Sequence, residues 1–79
     1  MLIKNECLEL NTKNIEIAKK LVNLRFRNVH MISIESLKVV LSVGGKYVYI
    51  GFYAFASPGV NFPYYNTYMV DYSCFEDNL

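Results

Sequence analysis

Two successive glycines, Gly44-Gly45, stand between two runs that alternate like strands, and they constrain this chain more than any other feature. Glycine takes positive φ at no steric cost, so a diglycine suits both central positions of a two-residue type I′ hairpin turn. With that turn, residues 29–43 and 46–56 become antiparallel neighbours. Val43 then opposes Lys46, Leu41 opposes Val48, Val39 opposes Ile50 and Leu37 opposes Phe52. Because side chains alternate across a strand, one face collects Leu37, Val39, Leu41, Val48, Ile50, Phe52 and Ala54. The other carries Lys38, Val40, Ser42, Tyr47, Tyr49, Gly51, Tyr53 and Phe55. The first is an aliphatic core face and the second is aromatic and amphipathic. A slip of one residue would exchange them.

The phase of the pattern changes upstream. Ile32 and Ile34 occupy even positions, whereas Leu37, Val39 and Leu41 occupy odd ones. Glu35-Ser36 would make a poor two-residue turn, so the change predicts a bulge or kink in one strand.

Residues 12–27 have helical periodicity. Glu16, Lys19, Lys20, Asn23 and Arg27 share a polar arc, and Ile15, Ile17, Ala18, Leu21, Val22, Leu24 and Phe26 fill a broad apolar stripe that needs a sheet or partner to cover it. Asn11 or Thr12 can supply the N-cap oxygen, and Asn28 suits a left-handed C-cap. Arg25 falls inside the apolar arc, on a line with Asn14. Its stem can lie along apolar surface while the guanidinium reaches water, or the guanidinium can meet a carboxylate or phosphate.

The other segments are plainer. Residues 2–10 read as a first strand, 57–63 as a loop, and 64–75 as a final strand with Tyr64, Asn66, Tyr68, Val70, Tyr72 and Cys74 on one face. Glu76 to Leu79 reads as an acidic tail. The expected fold is α+β, with residues 1–79 forming one small domain. A single amphipathic helix packs on one face of a three- or four-stranded, mainly antiparallel sheet whose centre is the Gly44-Gly45 hairpin. A first strand joined by a crossover would run parallel to its neighbour.

Composition narrows the function. The chain of 79 residues is 53% hydrophobic, above the usual share of about 45–50%. Either the core is dense or another chain, a partner or a second copy, covers part of the surface. A net charge of +1 argues against a role dominated by phosphate binding. Charge is nonetheless uneven: seven Lys/Arg face four Glu up to residue 40, and Lys46 alone faces Asp71, Glu76 and Asp77 after it. Lys4, Asn5 and Glu6 interrupt any apolar leader, and the strongly apolar run from Tyr47 to Ala56 spans ten residues where a membrane helix needs about twenty. A cytoplasmic protein with free thiols at Cys7 and Cys74 is expected. The abundance of Asn, Lys, Ile and Tyr is what AT-rich genes produce, phages and other mobile elements among them.

Reactive motifs are sparse. His30 is the single histidine, no CxxC or metal-ligand spacing occurs, and the glycine pair does not meet the phosphate-loop pattern GxxxxGK[ST]. No catalytic residue, metal or cofactor is expected. All seven tyrosines lie between Tyr47 and Tyr72, and no charged side chain occurs from Tyr47 to Val70. Tyrosine offers a large apolar body with a polar tip, which suits a surface that meets both water and a partner. The expectation is a non-enzymatic interaction module, an inhibitor or adaptor, that binds a protein partner or itself. Its contact residues would be Tyr47, Tyr49, Tyr53, Phe55, Tyr68 and Tyr72, with Arg25 as a candidate anchor. The alternative is a single-stranded nucleic-acid binder that stacks bases on the tyrosines, flanked by Lys38, Lys46 and the helix arginines Arg25 and Arg27.

Overall fold

A computed structural model describes residues 4–27, 29–42, 45–55 and 62–76, with Lys4, Asn5 and Ser42 described by backbone alone. The elements run β1 (Lys4–Cys7), α1 (Thr12–Arg25), β2 (His30–Ser42), β3 (Gly45–Phe55), β4 (Tyr64–Asp71) and α2 (Ser73–Glu76). The strands form one open four-stranded sheet in the order β1-β2-β3-β4, antiparallel throughout. This is the expected α+β arrangement of a helix packed with an antiparallel sheet. The parallel crossover is corrected: β1 pairs antiparallel with β2, matching Glu6 to Val39 and Cys7 to Lys38. The chain leaves β1, runs through α1 and returns as β2 beside it, so the helix is the connection between two neighbouring strands.

Helix α1 starts where Asn11 caps it. The Asn11 carboxamide oxygen accepts from the Asn14 N–H at 2.8 Å, satisfying one of the orphan donors of a first turn. Asn14 is buried inside the apolar arc because its side-chain amide donates to the Glu9 carbonyl at 2.8 Å. That bond ties the start of the helix to the segment leaving β1. The helix ends at Phe26, earlier than expected, and its amide donates to the Val22 carbonyl at 2.7 Å. The expected cap Asn28 lies outside the described residues. Ile17, Ala18 and Val22 are buried, whereas Leu24 is 65% exposed, so the stripe that packs is narrower than the apolar arc suggested.

The hairpin keeps the expected faces in a different register. Leu37 pairs with Ile50, Val39 with Val48, Leu41 with Lys46, and Ser42 with Gly45. Gly45 is therefore a strand residue, and the expected turn position Gly44 lies outside the described residues. Relative to the expected pairing, β3 is displaced by two residues. Period-2 patterning cannot detect that, because a slip of two returns every side chain to its own face. Leu37, Val39, Val48, Ile50, Phe52 and Ala54 are all buried, and Leu41 is left partly exposed. The change of phase in β2 is resolved as expected, by register shifts between His30 and Ser33 and between Ile34 and Ser36.

Strand β4 ends at Asp71, short of the expected residue 75. The chain then turns. The Tyr72 amide donates to the Lys46 carbonyl at 3.1 Å, and the Phe75 amide donates to the Tyr72 carbonyl at 2.9 Å. The short α2 inserts Phe75, 1% exposed, into the same core as the helix and the sheet. Glu76 is its last residue, and the rest of the expected acidic tail lies outside the described residues. Burial of the large apolar side chains Phe52, Phe75, Leu37 and Ile50 contributes about 1.5–3 kcal/mol each against chain entropy.

Candidate partner-binding surface

Both helices bury their apolar residues on one side of the sheet. Among the described residues, no element covers the other side. Its central strand presents Tyr47, Tyr49, Gly51, Tyr53 and Phe55, set by alternation with the buried Val48, Ile50, Phe52 and Ala54. Tyr49 and Tyr53 are each 39% exposed, and Tyr47 and Phe55 are half-buried. The pairing gives each a neighbour. Tyr47 lies between Val40 and Asp71, Tyr49 between Lys38 and Met69, and Tyr53 between Ser33 and Tyr65, while Phe55 pairs with His30.

Tyr68 and Tyr72 do not extend this surface, which corrects the expectation. Tyr68 pairs with Ile50 and so faces the helix side, where its ring meets Phe26 edge-on at 5.2 Å. Tyr72 packs against the core, with the Lys46 ammonium 5.5 Å from the centre of its ring. The residue that takes their place is Tyr65. It shares a face with Thr67 and Met69, opposite Tyr53 and Gly51, and its parity with Thr67 and Met69 was the available signal. Arg25 lies across the sheet from the tyrosine face, exposed in the last turn of α1. Its guanidinium carbon is 5.8 Å from the Phe26 ring centre, so its stem follows apolar surface while the head reaches water. Lys46 also belongs to the helix side by alternation, which leaves Lys38 as the strand cation beside the tyrosines.

Gly51 organises the surface. Tyr65 leans diagonally across the strand so that its hydroxyl lies over Gly51 near the Ser36 hydroxyl, where a methyl group on Gly51 would collide with both. An aromatic ring laid over a strand glycine covers backbone that no side chain of its own protects. Gly51 is accordingly buried, although it belongs to the open face. The Tyr65 ring meets Tyr53 edge-on at 5.0 Å, a geometry favoured by the ring quadrupoles. Beside it opens a cleft of about 260 Å³ lined by Ser36, Lys38, Val40, Tyr49, Gly51, Tyr65 and Thr67. Five of these side chains bring hydrogen-bond donors and none brings a carboxylate.

His30 is exposed, and neither Cys7, which is exposed, nor Cys74, which is half-buried, forms a disulfide. Among the described residues, no group of three His, Cys, Asp or Glu side chains could hold a metal ion, and no helix is long and apolar enough to cross a membrane. No family model, curated protein or solved structure matches the chain.

Proposed function

We propose that this is a non-enzymatic interaction module, an inhibitor or adaptor, that holds a protein partner on the open face of the sheet. The supporting observation is the contiguous patch of Tyr49, Tyr53, Tyr65 and Met69, each 39–51% exposed, on a rigid antiparallel scaffold. Tyrosine and methionine are enriched at protein interfaces, and tyrosine gives large contact area with few rotatable bonds to immobilise. The cleft at Gly51, rich in donors and free of carboxylates, suits a carbonyl or carboxylate of the partner surrounded by apolar contact.

Charge favours a protein over nucleic acid. A groove that tracks a phosphate backbone needs cations alongside its stacking rings. Here Lys19, Lys20 and Arg25 belong to the helix on the far side, and Lys46 points to that same side, away from the open face. In cells, a photo-crosslinking residue at Tyr49 should capture a protein that the same residue at Lys20 does not. With that protein purified, Tyr49→Ala or Tyr53→Ala should weaken binding by more than about 1 kcal/mol while the fold is retained. Unchanged affinity in both folded variants would refute the proposal. An affinity that falls steeply with rising salt would favour nucleic acid instead.

A further inference from the structure

We infer that the outer edge of β4 pairs antiparallel with β4 of a second copy of this chain, about a two-fold axis at Thr67, to make a continuous eight-stranded sheet. Every strand at the end of a sheet leaves alternate N–H and C=O groups unpaired, and proteins blunt such edges with short strands, charges, proline or bulges. The two edges of this sheet differ in that respect. β1 has four residues, two of them charged, Lys4 and Glu6. β4 has eight residues, Tyr64 to Asp71, all paired to β3 in one unbroken register. It contains no lysine, no proline and no bulge, and its only charge is Asp71 at the end. Tyr64, Tyr65, Asn66 and Thr67 are all exposed. The Tyr72 N–H donates to the Lys46 carbonyl, so along this unbroken register Tyr64, Asn66, Tyr68 and Val70 direct their backbone groups at β3, and Tyr65, Thr67 and Met69 direct theirs to the outer edge.

The occupant follows from the sequence of the edge itself. A two-fold interface must be self-complementary. With the axis at Thr67, threonine meets threonine, Tyr65 meets the second copy's Met69, Asn66 meets its Tyr68, and Tyr64 meets its Val70. Thr–Thr, sulfur–aromatic and aromatic–β-branched pairs all favour cross-strand contact. Asp71 falls opposite Pro63, so the two carboxylates stay far apart and no like charges meet. Paired residues also share a face. The open tyrosine surfaces of the two copies therefore join on one side, and both helices lie on the other. This inference concerns the strand edge and stands apart from the proposal for the tyrosine face.

The test uses the intact chain and two cysteine variants, each made on Cys7→Ser to remove the exposed native thiol. Sedimentation equilibrium, across dilutions from the solubility limit downward, should find a monomer–dimer equilibrium, and a monomer throughout overturns the inference. Opposed Cα atoms in an antiparallel pair are about 4.5–5.5 Å apart, within disulfide reach. Thr67→Cys should therefore cross-link to a dimer under mild oxidation. Met69→Cys should not, because its two copies are about 13 Å apart along the strands. A dimer that Thr67→Cys fails to cross-link, or that Met69→Cys cross-links equally fast, overturns the pairing, and so does irregular higher-order assembly. Thr67→Lys, which opposes two ammonium groups at the axis, should weaken the dimer about fivefold or more with an unchanged far-UV spectrum. An unchanged dissociation constant overturns the inference, and if that variant does not fold the cysteine pair still decides.

Discussion

Phe52 and Tyr53 are adjacent in one strand and should behave as if they belonged to different proteins. Phe52 is 0% exposed, and its ring centre is 5.9 Å from that of Phe26. Truncating it removes a full aromatic transfer contribution and leaves a cavity beneath the helix, at a cost of about 3–5 kcal/mol. A chain of this length is typically stable by about 4–12 kcal/mol, so Phe52→Ala should lose at least about a quarter of that stability. Tyr53 is 39% exposed and loses mainly its edge contact with Tyr65. Its truncation should cost about 1–2 kcal/mol. Urea titration followed by circular dichroism separates the two. With a slope of about 1 kcal/mol/M, Phe52→Ala should lower the midpoint by about 3 M or more and Tyr53→Ala by no more than about 2 M. Phe52→Leu offers a milder version if the alanine variant gives no measurable transition. Equal losses at both positions would refute the assignment of faces.

Four further substitutions test local contacts. Asn14→Ala should destabilise by about 1–3 kcal/mol in the same titration, because it leaves the Glu9 carbonyl without its donor; Asn11→Ala should cost about 1 kcal/mol as a lost cap. Gly51→Ala should push the Tyr65 ring off the strand, since its methyl would occupy the place of the Tyr65 hydroxyl. The Tyr65 and Tyr53 ring resonances should then shift together, and unchanged spectra would contradict the packing. Met31 has φ 53 and is 81% exposed, a left-handed conformation that costs a residue with a Cβ roughly 1 kcal/mol or more. Met31→Asn should therefore raise the urea midpoint, and a lower one would count against that conformation.

What could be read from the sequence follows from where alternation is strong. Leu37 to Phe52 carries enough aliphatic residues on one parity to fix both faces of the hairpin. The same pattern could not fix its register, because a slip of two preserves every face. In β4 the grouping of Tyr64, Asn66, Tyr68 and Val70 was legible, but the side of the sheet that group would join was not. Tyrosine suits either side, and the connection from β3 imposes no phase. Val70, buried opposite Val48, is the residue that decides it. Phe75 was missed because a helix of four residues has no period to detect, so its apolar neighbours read as more strand. Asn14 stood out on the helical wheel as a misplaced polar residue, yet its partner, the Glu9 carbonyl, is defined only once β1 and α1 come together.

Aliphatic side chains lie beneath α1, and Tyr49 and Tyr53 stay clear of it on the opposite face. A NOESY spectrum of the labelled protein measures this directly. The Phe26 ring should show cross-peaks to Phe52 and Tyr68, and the rings of Tyr49 and Tyr53 should show none to residues Thr12–Arg25. Cross-peaks from either of those two rings to the helix would mean that the faces are reversed and that no open tyrosine surface exists.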